Sequence, residues 1–198
     1  MTSNIDFFNA RAATWDEHNT KSTAEKINRI LTASDIAKND SVLDIGTGTG
    51  VLLPHVARAV GAEGSICAVD FSPMMLQQAH QKYASLPTRT SFVLADVEHD
   101  GIDGKFNRIM MYCVYPHIQS PVDTLRRLYH DNLACQGTIT IAHPVGRHFI
   151  NNIHSHCPIK SRHLPAADEL AAQLTYNGLT VDYAEESPDI YIVRIRKC

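Results

Sequence analysis

Val42-Leu43-Asp44-Ile45-Gly46-Thr47-Gly48-Thr49-Gly50 is the stretch whose reading settles the fold. Ser41 opens a short apolar run that the glycines stop, and a helical stretch over 50–60 follows, with Pro54 tolerable only near its first turn. Strand, glycine loop and helix in that order bring backbone close to a ligand at the carboxyl edge of a sheet. The spacing is G-x-G-x-G. A dinucleotide fingerprint, G-x-G-x-x-G, would need Gly or Ala at position 51, where Val51 stands. Asp44, just before the loop, would repel a pyrophosphate and welcome an ammonium group. The ligand expected here carries an amino-acid moiety.

Outward from the loop, strand and helix alternate. Runs at 65–69, 91–95, 106–113 and 138–142 read as strands. Ser72 with Pro73 opens a helix to about Tyr83, and Ser120 with Pro121 opens one over 121–134. A helix from Pro165 to Tyr176 is stopped by Asn177-Gly178, and the runs 179–184 and 189–196 read as an antiparallel hairpin. Upstream, residues 5–18 form an amphipathic segment with Phe7, Phe8, Arg11 and Trp15 at helical spacing. Ser22 with Glu25 reads as a capping box for a helix that ends by Asn39. The fold expected is α/β: a Rossmann-like, seven-stranded, mostly parallel sheet with helices on both faces, closed by the C-terminal hairpin. No repeat or long linker divides the chain, so residues 1–198 read as one domain, with 1–38 as an N-terminal helical cover.

Composition agrees. The 198 residues are 44% hydrophobic and 20% charged with a net charge of −3, the profile of a globular chain rather than a disordered or collagenous one. A chain of this length buries roughly 70% of its unfolded surface and needs no staples. The five cysteines (67, 113, 135, 157, 198) are odd in number and lack a C-x-x-C pair, which fits neither a disulfide framework nor a structural zinc site and suggests a reducing compartment. There is no apolar leader and no run of about 18 apolar residues, so a cytoplasmic location with no membrane partner is expected. Without a Lys/Arg cluster beyond Arg194, Arg196 and Lys197, nucleic acid is a poor candidate partner, and a small molecule is the better one.

Two further acids extend the argument. Asp70, twenty residues past Gly50, ends the second strand, where it can accept from both hydroxyls of a ribose; Asp96 ends the third, where it can accept from an exocyclic adenine amine or remain a solvated strand end. Three acids ending three successive strands describe an adenosine with a cationic amino-acid tail. With V-L-D-I-G-T-G-T-G, A-V-D-F-S and L-A-D-V in combination, the sequence from Val42 to about His143 resembles the class I S-adenosylmethionine-dependent methyltransferases. The resemblance implies S-adenosylmethionine as cofactor and S-adenosylhomocysteine as product. It puts Asp44, Gly46, Thr47, Gly48 and Gly50 around the methionine part, Asp70 on the ribose, Phe71 or Met75 against the adenine, and Asp96 with Val97 at the adenine edge. Trp15 and the segment 7–18 look like the cover such enzymes fold over the cofactor. Asn107 and Gln136-Gly137 depart from the family's usual F-D and P-G-G, at positions away from the cofactor.

The acceptor end is less specific. Methyl transfer is an in-line displacement in which positioning and desolvation supply much of the catalysis, and a base is needed only for a protonated nucleophile. The fourth strand ends M-Y-C-V-Y-P-H, neither the N-P-P-Y of amino-group enzymes nor the P-C of cytosine-C5 enzymes. His117 there could take a proton from a hydroxyl or thiol, or simply cap a turn. Tyr112 and Tyr115 could orient an acceptor or pack against the cofactor, and Cys113 reads as pocket lining because nothing nearby in sequence would lower its pKa. Seven of the eleven histidines fall between 117 and 163. His143 ends the fifth strand as a second candidate base, and a helix over 147–154 would align Arg147, Asn151 and His154 on one face as an acceptor site. No metal signature is present, so no metal is expected. The function expected is methyl transfer to a small molecule. A non-catalytic S-adenosylmethionine-binding subunit is the alternative, and a nicotinamide oxidoreductase is disfavoured by Asp44 and Val51.

Overall fold

The computed structural model describes residues 3–18 and 23–198. Its centre is one seven-stranded sheet: β1 (Ser41–Ile45), β2 (Ser65–Asp70), β3 (Arg89–Leu94), β4 (Phe106–Tyr112), β5 (Leu133–His143), β6 (Val181–Ser187) and β7 (Ile190–Arg196), in the order β3-β2-β1-β4-β5-β7-β6. The first five strands are parallel; β7 runs antiparallel to both β5 and β6. β1 pairs with β2 on one side and β4 on the other: the chain travels outward from β1 to β3, then crosses back to β4 and continues the other way, which leaves a switch point between β1 and β4. A crevice opens where strand order reverses, which is where such sheets hold ligands.

Side-chain alternation divides the core. Leu43, Ile45, Ile109, Met111, Ile139 and Ile141 point to one face, under α6 (Pro121–Arg127), α7 (Arg147–His156) and α8 (Ala167–Tyr176). Val42, Ile66, Ala68, Met110, Ala142 and Ile192 point to the other, under α3 (Ala24–Ala33), α4 (Leu53–Val60) and α5 (Pro73–Tyr83). Both faces are therefore buried, as parallel strands require. Pro54 lies in the first turn of α4, where its missing N–H costs nothing.

Several boundaries differ from the sequence reading. Thr23, not Ser22, caps α3 by accepting from the Lys26 amide; Ser22 lies outside the described residues. α3 is also not part of a cover: Ile27, Ile30 and Leu31 pack into the sheet core, and only α1 (Asn4–Arg11), the 3-10 turn Ala12–Thr14 and α2 (Trp15–His18) stand over the carboxyl ends of the strands. The helix expected over 121–134 stops at Arg127. Leu128–Asn132 wind as a π turn because the Asn132 amide donates to the carbonyls of Ile102 (2.6 Å) and Gly104 (3.2 Å). β5 then starts at Leu133, five residues earlier than expected. Ser72 does cap α5, accepting from the Met75 amide at 3.2 Å, whereas Ser120 occupies the cap position of α6 without a side-chain bond. The family departures are accommodated locally. Asn107 Oδ1 accepts from the Ser41 amide at 2.9 Å, and Gln136 takes a left-handed turn (φ 61°) before Gly137, where a Cβ would meet the Asn107 carbonyl at 2.8 Å.

Candidate active site

At the carboxyl ends of β1, β2 and β4 lies a cavity in two parts, of about 190 and 90 Å³, which share Gly46, Asp70, Phe71, Val114 and His117 in their walls. The glycine loop forms one side. Gly46 is left-handed (φ 65°), and a Cβ on it would sit 2.5 Å from Val114 Cγ2, so both the turn and the close approach of the next strand's loop demand glycine. Gly48 faces the cavity through its backbone, and its amide donates to Asp70 Oδ2 at 2.8 Å. Gly50, by contrast, faces Tyr83 and does not line the cavity; it serves the turn into α4. Thr47 lines the smaller part and donates its hydroxyl to Asp44 Oδ2 at 2.7 Å.

The acids are the electrostatic centre. Asp44 is fully buried beneath the loop; burial, reinforced by the neighbouring Asp70, pushes its carboxyl up to about 7 in spite of the Thr47 hydroxyl. Asp70 ends β2, accepts from the amides of Gly48 and Ser72 at 2.8 Å each, and is pushed by burial up to about 6. No Lys or Arg lines the cavity among the described residues. Asp70 is in the wall of both parts, whereas Asp44 lines neither and lies behind Thr47; Asp70 in the wall, with no Lys or Arg there, suits a ligand that carries ribose hydroxyls and a positive charge. Asp96 and Val97 line the larger part; the Asp96 carboxylate is held in place by the Glu98 amide and by the ring of His99, each at 2.9 Å.

The cover brings aromatic residues. Phe8 on α1 meets Trp15, Phe71 and His117 edge to face, with ring centroids 5.2 to 5.7 Å apart. Trp15, Phe71, Met75 and Tyr112 all line the smaller part, as does Cys113, whose thiol burial pushes up to about 12. The cover is tied down at two points: Asp16 accepts from the Thr49 hydroxyl (2.5 Å) and from Lys82 (2.6 Å), and Asn9 Oδ1 accepts from Ser72 (2.8 Å).

His117, in the 3-10 turn Tyr115–His117 after β4, lines both parts of the cavity. Burial, with His154 beside it, pushes its imidazole down to about 3, so the ring is neutral across the physiological range. His143 does not reach the cavity. It is buried at the end of β5 against Tyr191, neutral, with both ring nitrogens lacking a partner. Tyr115 likewise turns into the core under α6 and α8, its phenol pushed up to about 12 by burial. The face expected of α7 is largely engaged elsewhere. Arg147 pairs with Glu186 at 2.9 Å, and Asn151 clamps the backbone of Leu164 through two bonds, at 2.7 and 2.9 Å. Only His154 turns to the site, edge to face with His117. Phe8 lines the smaller part as a member of the expected cover, while sequence reasoning missed Thr49, Val51, Val114, Glu98 and Gln119 as cavity residues; Thr49, Val51, Val114 and Glu98 adjoin recognised positions, but Gln119 is brought there by tertiary packing alone.

Residues 42–134 match the family described as a methyltransferase domain. Among curated relatives, aklanonic acid methyltransferase DauC from Streptomyces sp. (strain C5) is 28% identical over 142 residues, covering 71% of this chain and 64% of that protein. The chain thus spans less than two thirds of that relative's length. Among solved structures, a SAM-dependent methyltransferase from Aquifex aeolicus superposes with a TM-score of 0.75 at 17% identity, over 96% of this chain and 98% of the other. The N-methyltransferase NodS from Bradyrhizobium japonicum WM9, in complex with S-adenosyl-L-homocysteine, gives 0.73 at 14%, over 98% and 97%. These two likenesses speak for the fold. Residues 42–134 thus carry the likeness to a methyltransferase domain, and the chain shares the fold of these S-adenosylmethionine-dependent enzymes.

Proposed function

We propose that the chain transfers a methyl group from S-adenosylmethionine to a small molecule whose reacting group arrives as a hydroxyl or thiol, with His117 as the base. One observation carries the reading: a neutral imidazole stands in the wall of both parts of a cavity that otherwise offers carboxyls, small residues and aromatic rings. In the same reading Asp44 pairs with the ammonium of the cofactor, the backbone of Gly46, Thr47 and Gly48 cradles its methionine part, and Asp70 accepts from the ribose. Phe71 and Met75 flank the base, Asp96 and Val97 meet its edge, and Trp15, Phe8 and Tyr112 exclude water. Gly50 supports the loop from behind.

The sulfonium supplies an activated methyl, so the protein's tasks are to align the acceptor, desolvate it and take its proton. No Lys or Arg lines the cavity among the described residues, and its one imidazolium candidate, His99, is taken up by Asp96 at 2.9 Å, which supports an acceptor without a phosphate or carboxylate near the reacting atom. The curated relative named for aklanonic acid, a small molecule, supports the acceptor's size class, and the net charge of −3 is consistent with a partner other than nucleic acid.

The test has two arms. Thermal unfolding with S-adenosylmethionine, S-adenosylhomocysteine and NADH is expected to show stabilisation of about 2.7 kcal/mol by the two adenosyl ligands at roughly 100 times their Kd, and none by NADH. Transfer of labelled methyl into a panel of phenols, enols and thiols then reads the activity. Adenosyl stabilisation without transfer to any acceptor, in the panel or a metabolite extract, would favour a non-catalytic subunit.

A further inference from the structure

Beyond β3 the chain bends through residues 95–100, and this turn forms the end of the cavity where the proposed reading puts the adenine. Most polar groups of the turn are satisfied inside it. The Asp96 amide donates to Asp100 Oδ2 at 2.8 Å, and the Asp96 carbonyl accepts from the amides of His99 (3.0 Å) and Asp100 (2.7 Å). The Asp96 carboxylate accepts from the Glu98 amide and the His99 ring, yet each of its oxygens keeps a second lone pair. The Val97 amide donates to no atom of the chain among the described residues. It shares a planar peptide unit with the Asp96 carbonyl, whose bonds point into the turn, so the N–H points out of it. A spare acceptor and a spare donor therefore stand on neighbouring residues that both line the cavity.

What holds this pair in place lies outside the cavity. Arg127, in the last turn of α6, lines neither part of it. Its guanidinium grips the turn from behind: Nη1 donates to the Glu98 carbonyl at 2.9 Å and Nη2 to the Val97 carbonyl. A planar fork can take two successive carbonyls in this way, whereas a lysine offers a single point of charge. Glu98 returns the grip at the other end of the same helix. Its carboxylate accepts from the Gln119 amide at 2.9 Å and from the Ser120 amide at 2.7 Å, at a helix start that the Ser120 side chain leaves uncapped. The helix is itself anchored, with Leu125 and the following Leu128 in the core of the sheet. Both ends of α6 are thus bolted to one turn, and the helix carries the rigidity of the core to it.

We infer that Arg127 and Glu98 are positioning residues for the adenine edge: they clamp the turn 95–100 to α6, so that Asp96 and Val97 select a 6-aminopurine against a 6-oxopurine. This rests on the proposed reading, in which Asp96 and Val97 meet the adenine. The amine of a 6-aminopurine donates and its N1 accepts, the complement of a carboxylate beside an N–H. In a 6-oxopurine both roles reverse. The carboxylate then faces a carbonyl oxygen and the amide N–H faces another N–H, and a rigid turn relieves neither mismatch. A loosened turn bends away and admits water between the mismatched groups. The clamp therefore acts on the ratio of the two affinities more than on the affinity for purines in general.

Calorimetry on the full chain compares S-adenosylhomocysteine with S-inosylhomocysteine, its 6-oxo analogue. The wild type is expected to prefer the amino ligand by about 100-fold. Arg127→Met keeps most of the apolar stem and removes the donors. It is expected to cut that preference to about tenfold or less, by weakening S-adenosylhomocysteine while the 6-oxo ligand stays within about twofold. Arg127→Lys is expected to fall between the two. A wild type that binds both ligands alike, or an Arg127→Met protein that loses both equally and so keeps the ratio, overturns the inference, because a merely structural role weakens both together. Without ligand, hydrogen exchange at the Glu98 and His99 amides, which bond inside the turn, is expected to quicken about tenfold in Arg127→Met relative to the amides of β1. Unchanged exchange also overturns the clamp. Should Arg127→Met fold poorly, Glu98→Gln, which retains one acceptor oxygen, is expected to lower the ratio in the same direction by less, and an unchanged ratio there counts equally against the clamp. If the wild type binds neither ligand, the cofactor reading fails and the inference falls with it; tight S-adenosylhomocysteine binding with an unmoved ratio brings down the inference alone.

Discussion

Asp44 couples the site to pH. Its carboxyl, pushed up to about 7, would have to be ionised to pair with an ammonium group as proposed, so cofactor affinity is expected to rise with pH as that proton leaves. Calorimetry with S-adenosylhomocysteine is expected to show about tenfold tighter binding at pH 8 than at pH 6, and a flat, weaker profile in Asp44→Asn. A flat wild-type profile would remove Asp44 from the ligand's ammonium. Gly46 tests the geometry of the same loop. A Cβ there meets Val114 at 2.5 Å from a backbone with φ 65°, so Gly46→Ala is expected to cost about 1–3 kcal/mol in denaturant unfolding and to weaken the cofactor. The three acids and the glycines were legible as residues because each ends a strand or fills the loop between strand and helix. The separate fates of His117 and His143 were not: both follow a strand, and only packing directs one ring into the cavity and buries the other against Tyr191.

At the scale of elements, the cover of α1 and α2 combines aromatic contacts with two polar ties. Asp16 is half exposed, so its bonds to Thr49 and Lys82 contribute little to global stability, yet they fix where the cover sits. Asp16→Ala is expected to change the melting temperature only slightly while speeding proteolytic cleavage within residues 3–18, with the excess suppressed by S-adenosylhomocysteine. Cleavage at the wild-type rate would mean the aromatic contacts alone hold the cover. The strand–helix alternation was readable from apolar runs bounded by Gly, Ser and Pro. The end of α6 was not, because the π turn is drawn by Asn132 reaching carbonyls some thirty residues away. The α7 face failed for the same reason: helical spacing aligned Arg147, Asn151 and His154, but Glu186 on β6 and the Leu164 backbone claim the first two.

For the whole molecule, pH acts through groups of opposite sign. Asp44 and Asp70 carry folded values raised above the ordinary carboxylate range, so the native state holds protons the unfolded chain has lost, and stability falls as pH rises from about 4 toward 7. His117 and His143 are depressed to about 3, so the unfolded chain binds protons the native state refuses, and stability rises with pH between about 3 and 6.5. The two trends oppose. Asp44→Asn removes part of the falling trend and is expected to make unfolding free energy rise more steeply than in the wild type from pH 4 to 7, by roughly 3 kcal/mol across that window. Parallel denaturation series would refute this if the two slopes coincide. Local sequence by itself determined the strands, the loop, the acids near the strand ends and therefore the cofactor to expect, because strand periodicity, glycine turns and carboxylate chemistry act over a few neighbouring residues. Tertiary structure alone decided which imidazole meets the cavity, which acceptor-face residues are already paired, and which helices cover the site. Those outcomes depend on contacts between residues distant in the chain, such as Phe8 on His117, Glu186 on Arg147 and Val114 against Gly46.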